Sequence, residues 1–354
     1  MRGGGDKVRA VSTDAAVQGK VDEDAAMGLG ASSPTLIGGQ EVAEAHRRAL
    51  AAAKAQAQTY ARGAKATSTQ RAYHNDWSDF EAWCVTHCLA ALPATPETVA
   101  LYLASRAAVY KVATLTRRLV AISRVHQLAG HPSPTTDAGV RTVAAGIRRA
   151  KGTAQESKAP AVTRELRAMV AALPPTLLGR RDRALLLVGF AGGFRRSELV
   201  ALDVADIAET ADGLVVTIRR SKTDQEGAGR KIGIPYGSHP ASCPVRALRA
   251  WLAAAGVTEG ALFRGVDRHG NLLGRLSDKG VARVVQRAAA AAGLDHARYA
   301  GHSLRAGLAT AAAQGGAPER AIMAQTGHKS TAMVRRYIRD GELFADNAAA
   351  YTGL

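Results

Sequence analysis

The chain has 354 residues, a formal net charge of +17 and a sequence pI of about 10.3. Its length allows two domains, and its charge favours an anionic partner, usually nucleic acid. No apolar stretch reaches the roughly 18 residues of a membrane span, and no hydrophobic segment follows the amino terminus as in a signal peptide. These features predict a cytoplasmic protein with access to nucleoid DNA, and they exclude a membrane-spanning one.

The first part of the chain predicts a tail followed by a helical domain. Residues 1–40 are rich in Gly, Ala and charged residues without a period, which predicts a disordered segment. Residues 41–150 predict an all-α domain, because apolar residues recur there at helical spacing between clear start and stop signals. Its helices are predicted at 41–60, from Thr67, from Pro96, over 114–129 and over 136–150.

Cysteines are the first candidate ligands along the chain. Cys84 and Cys88 lie one helical turn apart with His87 between them, and such side chains could supply ligands to a metal ion. Two thiols on one helix without a second pair are more typical of a core. With only Cys243 besides, a disulfide framework is excluded as well. We therefore expect no metal and no cofactor.

A polar stretch separates the first domain from a second one. Residues 151–160 contain charged residues and a proline, which predicts a linker. Residues 161–340 predict a mixed α+β domain: two short β-branched segments near 214–218 and 231–235 flank a Gly-rich loop, and helices occupy most of the rest. The tail 341–354 is apolar for a terminus, which predicts a short helix that docks on another protomer.

Six polar residues of the second domain carry the functional signal. A tyrosine hydroxyl is a poor nucleophile at neutral pH because its free pKa is about 10, so attack on a phosphodiester needs nearby cations. Cations also stabilise the charge that develops on the phosphoryl oxygens. A His and an Arg at a helix start add a favourable place for a phosphate. The six residues are Arg195, Lys222, His302, Arg305, His328 and Tyr337.

The spacing around two of these residues leaves local choices. Glu198 lies three residues after Arg195, on the same helical face, where its carboxylate can support the basic cluster. Arg196 is adjacent to Arg195, and only one of the two can face a phosphate. Lys222 has a competitor in Lys231, which lies across the same predicted hairpin.

The motifs GFRRSEL, HSLR and TGH, followed by a tyrosine nine residues after the histidine, resemble the motifs of the tyrosine recombinase (phage integrase) family. The resemblance covers roughly residues 65–345 and is closest to the Cre-type recombinases. It implies a helical core-binding domain and a catalytic domain that together form a C-shaped clamp on DNA. The family pattern selects Arg195 over Arg196, and the Arg-Ser-Lys-Thr context favours Lys222.

The resemblance also implies a role for each residue. Tyr337 would form a 3′-phosphotyrosine link, and Arg195 and Arg305 would hold the non-bridging oxygens. His302 would act in proton transfer, Lys222 would protonate the leaving 5′-oxygen, and His328 would hydrogen-bond the phosphate. Glu198 would be a supporting residue.

The implied partner is double-stranded DNA with an inverted-repeat site, on which four protomers would exchange strands through a Holliday junction. Free protein would be a monomer or weak dimer. Basic residues at helical positions are candidates for DNA contact, chiefly with phosphates. They are Arg117, Arg118, Arg148, Arg149, Lys279, Arg283 and Arg287.

Three other functions fit part of the pattern. A type IB topoisomerase would share the chemistry but act without a specific site. A non-catalytic DNA-binding protein would share the fold, although all six catalytic positions hold competent residues. A metal hydrolase would use His302 and His328, but the sequence lacks a nearby carboxylate cluster of the usual ligand kind.

Overall fold

The computed structural model describes residues 38–63, 66–153, 157–222, 224, 226–341 and 352. Most of the predicted disordered tail at 1–40 and of the predicted docking tail at 341–354 lies outside the described residues. The chain divides into two compact units, residues 1–155 and 156–354. This division falls within the predicted linker 151–160, and each unit is described by itself below.

The described part of the first unit is entirely helical apart from its turns. The helices are α1 (Gly38–Gly63), α2 (Thr67–Thr86), α3 (Pro96–Ala107), α4 (Val112–Leu128) and α5 (Ala138–Lys151). The start of α3 is fixed by Pro96 at its first position and by Thr95, whose hydroxyl accepts the N–H of Thr98 at 3.1 Å. Helices α2 to α5 bury one apolar core, which includes Phe80, Tyr102, Leu103 and Ile122.

A polar cluster lies at the edge of this core. The guanidinium of Arg118 is paired with the carboxylate of Asp79 and hydrogen-bonded to the hydroxyl of Tyr102. It also lies over the ring of Tyr110, 3.9 Å from the centroid. Buried polar groups are stable only when they are paired in this way. The cluster therefore ties α2, α3 and α4 together through one arginine.

The second unit contains eight helices in its described residues and two small sheets. Its helices are α6 (Thr163–Ala171), α7 (Leu177–Ala191), α8 (Arg196–Ala201), α9 (Pro244–Ala255), α10 (Asp278–Ala291), α11 (Ser303–Gln314), α12 (Glu319–Thr326) and α13 (Thr331–Gly341). Helix α7 runs through the main core, where Leu185, Leu186 and Val188 are fully buried. Trp251 of α9 packs in the same core and donates its indole N–H to the carbonyl of Leu262 at 2.9 Å.

Both sheets are antiparallel. Strands β1 (Ile207–Thr210), β2 (Gly213–Ile218) and β3 (Arg230–Pro235) form one sheet in the order β1-β2-β3. Strands β4 (Arg264–Val266) and β5 (Leu272–Arg275) form the other. In β3, Ile232 and Ile234 face the core whereas Lys231 is exposed, as the two-residue period of a strand requires. Lys231 thus lies on the outer face of the hairpin.

The predicted fold class is confirmed: the chain is mainly helical and carries a small antiparallel sheet. The predicted helices at 114–129 and 136–150 agree with α4 and α5 within two residues at each end. The sequence reasoning missed α6, strand β1 and the sheet formed by β4 and β5. The C-shaped clamp concerns the relative placement of the two units and stays a prediction.

Candidate active site

Arg195 lies directly after a sharp turn of the backbone. Gly193 has a φ of +57°, and a Cβ atom there would lie 2.8 Å from Cδ2 of Leu308, so the turn requires glycine. Arg195 then precedes α8, and Glu198 at the third helical position accepts the backbone N–H of Arg195 at 2.9 Å. The same carboxylate accepts Nη1 of Arg195 at 2.5 Å. Glu198 is thus a buried support for Arg195.

The side chains of the two adjacent arginines point in different directions. Arg195 is 17% exposed and points to the site, whereas Arg196 is exposed and passes over Gly301. A Cβ atom on Gly301 would lie 2.3 Å from Cδ of Arg196, so the arginine stem uses the space that this glycine leaves. The geometry agrees with the selection of Arg195 as the residue that faces a phosphate.

Arg305, on the first turn of α11, is the most deeply buried cation of the site. It is 1% exposed, and its Nη1 group donates to the carbonyl of Gly193 at 2.7 Å and to that of Thr326. Its Nη2 atom is buried and has no hydrogen-bond partner among the described residues. Burial, and then the charge of Arg195, lower the pKa of Arg305 to about 10, so the guanidinium remains charged at neutral pH.

Tyr337 and His302 are in direct contact. The Nε2 atom of His302 lies 2.8 Å from the phenolic oxygen of Tyr337. Helix α13 holds this geometry because Val334 and Tyr337 pack on a small apolar cluster with Ala309 and Ile322. The contact joins two residues that are 35 positions apart in the sequence.

The surroundings of His302 keep its ring neutral at physiological pH. Its pKa is lowered, first by the partial loss of solvent around the ring and then by the positive charges of Arg305, Arg196 and Arg195. A neutral ring can present a lone pair to a phenol.

His328 follows the end of α12. Gly327 ends that helix in the left-handed region at a φ of +66°, which turns His328 into the site. The ring of His328 lies 5.9 Å from that of Tyr337, centroid to centroid, and its Nδ1 atom lies 2.7 Å from the hydroxyl of Thr326. Burial, and then the positive charges of Arg305 and Arg195, lower the pKa of His328 to about 4.

Lys222 lies in the loop between β2 and β3. The residue is exposed, and its ammonium group forms no hydrogen bond or ion pair within the described part of the chain. Thr223 and Gln225 of this loop lie outside the described residues. The structure thus places Lys222 on the hairpin that the sequence predicted for it, and no contact with another described residue fixes its side chain.

Arg230 belongs to the site and was missed by the sequence reasoning. Its guanidinium reaches the carbonyls at the end of α12, and its Nη2 atom lies 3.7 Å from Oε2 of Glu198. Burial lowers the pKa of Arg230, with a further contribution from Arg195, and Glu198 opposes this shift. Arg195, Arg230 and Arg305 therefore lie around the carboxylate of Glu198. This excess of positive charge makes the site suited to an anion.

The first unit separates the predicted DNA contacts into two groups. Arg118 is 5% exposed and bound to Asp79, so the expectation that it contacts DNA disagrees with its position in the structure. Arg117 is half exposed and holds Asp76 through its Nε group at 2.6 Å. Arg148 and Arg149 are exposed near the end of α5. These last two remain the best candidates for DNA contact in this unit.

Helix α10 presents the other predicted DNA contacts. Lys279, Arg283 and Arg287 are all exposed and lie one turn apart. Arg287 is also paired with the buried carboxylate of Asp182, so part of its charge is already compensated. Lys279 and Arg283 have no such pairing among the described residues, which makes them the stronger candidates.

Among the residues that the structure describes, no three His, Cys, Asp or Glu side chains come together as a metal-ligand set. Cys84 is buried in the core of the first unit, and Cys88 is exposed. Among those same residues, no helix combines the length and apolarity needed to cross a bilayer.

Comparison with known proteins agrees with the geometry. Residues 162–342, which span α6 to α13, match the phage integrase family. An integrase/recombinase XerD homolog of Selenomonas ruminantium is 44% identical over 289 residues, covering 80% of this chain and 85% of the relative. Recombinase Cre of Escherichia phage P1 is 26% identical over 284 residues, covering 73% and 80%. The similarity to Cre is therefore present but weaker than that to the XerD homolog.

Solved structures support the same fold. A lambda integrase fragment, crystallised as a dimer bound to a core site, superposes with a TM-score of 0.56 at 21% identity and covers 80% of this chain and 92% of the fragment. A lambda integrase tetramer bound to a Holliday junction gives a TM-score of 0.53 at 18% identity, covering 80% and 75%. With the family match over half of the chain and the 44% identical relative, the chain belongs to the phage integrase family of tyrosine recombinases.

Proposed function

We propose that this chain is a site-specific DNA recombinase that cleaves and rejoins strands through a covalent link between Tyr337 and a 3′-phosphate. The observation that carries the proposal is the 2.8 Å contact between Nε2 of His302 and the phenolic oxygen of Tyr337, beside Arg195 and Arg305. Membership of the tyrosine recombinase family supports it independently.

Electrostatic stabilisation comes from Arg195 and Arg305. The Nη2 atom of Arg305, which has no hydrogen-bond partner among the described residues, can donate to one non-bridging oxygen of the scissile phosphate, and the exposed part of Arg195 can donate to the other. Charge-assisted hydrogen bonds of this kind are strongest where the protein excludes water and holds the donors in place. Glu198 and the carbonyl oxygens of Gly193 and Thr326 hold these two side chains.

Cleavage then exchanges one phosphate ester for another. His302, neutral in its surroundings, takes the phenolic proton while the oxygen of Tyr337 forms a bond to phosphorus. The bond from phosphorus to the 5′-oxygen breaks, and Lys222 gives a proton to that oxygen. Rejoining is the reverse attack by a 5′-hydroxyl on the phosphotyrosine. Because the ester bond energy is retained, the exchange needs no external energy source.

Double-stranded DNA with an inverted-repeat site is the proposed substrate, with a homotetramer as the acting assembly. The net charge of +17 and the exposed cations Arg148, Arg149, Lys279 and Arg283 support binding along a phosphate backbone. The lambda integrase structures, one a dimer on a core site and one a tetramer on a Holliday junction, support the assembly by analogy. We also propose that residues 341–354 dock on a neighbouring protomer, so their deletion would weaken synapsis.

The competing functions predict different observations. A type IB topoisomerase would relax plasmids that lack the recognition site, whereas a recombinase would act only where the site is present. A metal hydrolase would lose activity in EDTA, whereas the proposed chemistry would not. A non-catalytic DNA-binding protein would form no covalent adduct. The match to a recombinase over most of the chain favours the recombinase over these three alternatives.

The decisive experiment uses Tyr337→Phe. Inverted repeats in the DNA that flanks the gene would be tested for binding to this variant, and a bound site would then be offered to the wild-type protein in nicked form. We expect wild type to form a covalent protein–DNA adduct and Tyr337→Phe to bind equally well without forming one. Tyr60→Phe, at an exposed position of α1, is the control and should behave as wild type. An adduct with Tyr337→Phe would refute the assignment of the nucleophile.

A further inference from the structure

Arg230 joins two segments of the proposed active site that are far apart in the sequence. Its Nη1 group donates to the carbonyl oxygens of Ala324 and Gln325 at 3.3 and 3.1 Å, and its Nη2 group donates to that of Thr326 at 3.4 Å. These are the last three residues of α12. Carbonyls at a helix end lack intrahelical partners, and a cation there also complements the helix dipole. His328 follows two residues later.

The same side chain lies at the base of the loop that carries Lys222, since Arg230 is the first residue of β3. Within the loop, Ser221 and Asp224 exchange two backbone hydrogen bonds of 3.1 Å and so enclose Lys222 in a turn. The carboxylate of Asp224 accepts the N–H of Gly229 at 2.8 Å, directly before Arg230. Hydrogen bonds, together with the peptide bond from Gly229 to Arg230, therefore join the turn that holds Lys222 to the end of α12.

Arg230 also touches the supports of the two arginines that would bind phosphate. Its Nη2 atom lies 3.7 Å from the carboxylate of Glu198, which holds Arg195. Its bond to the carbonyl of Thr326 is shared with Arg305, which donates to the same oxygen. One guanidinium, carried by the hairpin, thus contacts the end of α12 and the carboxylate behind Arg195.

The backbone is shaped to admit this guanidinium. Gly327 is in the left-handed region, and a Cβ atom there would lie 2.7 Å from Cζ of Arg230, so the guanidinium lies directly against the glycine. A second link runs parallel to it: the side-chain amide of Gln325 donates to the carbonyls of Ala191 and Gly233 at 2.7 and 3.0 Å. The end of α12 is therefore fastened to β3 at two points.

We propose that Arg230 is a positioning residue for strand cleavage, which holds the hairpin at the place where Lys222 can protonate the leaving 5′-oxygen. The inference rests on the proposed function. Arg230 does not touch the substrate; it acts through the loop and through the end of α12. A lysine is a poor replacement because its point charge cannot reach three carbonyl oxygens as a planar guanidinium does.

The test compares two DNA substrates that differ in one atom. In the first, the bridging 5′-atom at the cleavage site is oxygen; in the second, it is sulfur. A thiol leaves readily without protonation because its pKa is far below that of an alcohol, so cleavage of the sulfur substrate does not need a general acid. Single-turnover cleavage rates of Arg230→Met, Lys222→Met and wild type are measured on both substrates, with DNA affinity measured in parallel.

We expect Arg230→Met to cleave the oxygen substrate about 10²-fold more slowly, the loss that a small misplacement of a catalytic group causes. On the sulfur substrate it should come within a few-fold of wild type, as Lys222→Met should, while its DNA affinity stays nearly constant. Arg246→Met removes an exposed arginine of α9 and should change neither rate. Equal losses of Arg230→Met on both substrates, or no loss, would overturn the inference.

The same data separate the inference from the function on which it rests. If sulfur restores Lys222→Met but not Arg230→Met, the proposed general acid stands and the assignment of Arg230 is wrong. If the sulfur substrate restores cleavage by neither variant, both the assignment of Lys222 as the general acid and the inference about Arg230 are wrong. If Arg230→Met does not fold, Arg230→Lys is used in its place, because it keeps the positive charge at the end of α12. A folded Arg230→Lys protein with a wild-type ratio of the two rates would equally overturn the inference.

Discussion

Thr326 fixes the protonation pattern of His328. The hydroxyl of Thr326 lies 2.6 Å from the carbonyl of Ile322, which can only accept, so the single hydroxyl hydrogen points there. The Nδ1 atom of His328, 2.7 Å from the same hydroxyl, must therefore be the donor of their hydrogen bond. In the neutral ring, Nε2 then carries a lone pair and no proton. His328 can donate to a phosphate from Nε2 only after it takes up a proton.

This relationship predicts that phosphate binding is coupled to proton uptake. The pKa of His328 is lowered to about 4 by burial and by Arg305, Arg195, His302 and Arg230, so the free ring is neutral at pH 7. A bound phosphate places a negative charge beside the ring and raises this pKa, so DNA affinity should rise as the pH falls from 8 towards 6. Calorimetric titration of Tyr337→Phe with DNA in two buffers of different ionisation enthalpy measures the protons taken up.

The control for this prediction is a second substitution in the same background. His328→Gln should reduce the proton uptake and flatten the dependence of DNA affinity on pH. His302 also has a lowered pKa, but His302→Gln should leave the proton uptake by His328 in place. Identical uptake with and without His328 would contradict the prediction.

Glu198→Gln should separate DNA affinity from cleavage. The substitution removes the only negative charge beside Arg195 and Arg230 in the described part of the site, so DNA affinity should stay constant or increase. Cleavage should fall about 10²-fold because Arg195 loses its anchoring carboxylate. Filter binding and single-turnover cleavage measure the two effects. Glu259→Gln makes the same charge change at an exposed position and serves as the control; parallel losses of affinity and cleavage would argue against a supporting role.

Lys222→Met and Lys231→Met decide which lysine protonates the leaving group. Loss of a general acid costs about 10²- to 10⁴-fold in rate, and we expect that loss for Lys222→Met. Lys231 lies on the exposed outer face of β3, so Lys231→Met should remain within a few-fold of wild type. Cleavage rates on a nicked oxygen substrate measure both. The opposite ranking would transfer the role to Lys231.

Substitutions in the first unit distinguish a structural arginine from candidate DNA contacts. Arg118→Leu leaves the carboxylate of Asp79 without its closest partner and should lower the free energy of unfolding of this unit by about 3 kcal/mol. Arg148→Gln with Arg149→Gln should leave stability unchanged and reduce the slope of log K against log salt by about 1 to 2. Denaturant unfolding and salt-dependent binding check both; a stable Arg118→Leu variant with weakened binding would reverse the assignment.

Local signals in the sequence were sufficient for most helices. Thr95 with Pro96 predicts the start of α3, and the structure places Thr95 at the N-cap and Pro96 at the first helical position. Glycines are common directly after the last turn of a helix, and Gly293 and Gly327 lie there in the left-handed region. Such signals act within one or two turns, so they can be read without knowledge of the fold. Strands β4 and β5 were missed because they are short and their residues are only partly buried.

Such local signals could not predict which charged residues are buried. Arg118 has the same sequence context as a solvent-exposed arginine, and only the arrival of Asp79 and Tyr102 from two other helices places it in the core. Arg230 is the first residue of an ordinary strand, and its bond to Gln325 joins residues 95 positions apart. Contacts of this range depend on how helices and strands pack, which no local pattern contains.

The sequence by itself determined the chemistry that is available: which six polar residues the second unit carries, in which order, and beside which glycines. Only the tertiary structure decided which of them meet. It brought His302 to Tyr337, turned Arg195 inward and Arg196 outward, and placed Arg230 between the hairpin and α12. The physical reason is that residue type is a local property, whereas hydrogen-bond geometry and desolvation arise when distant segments exclude water together.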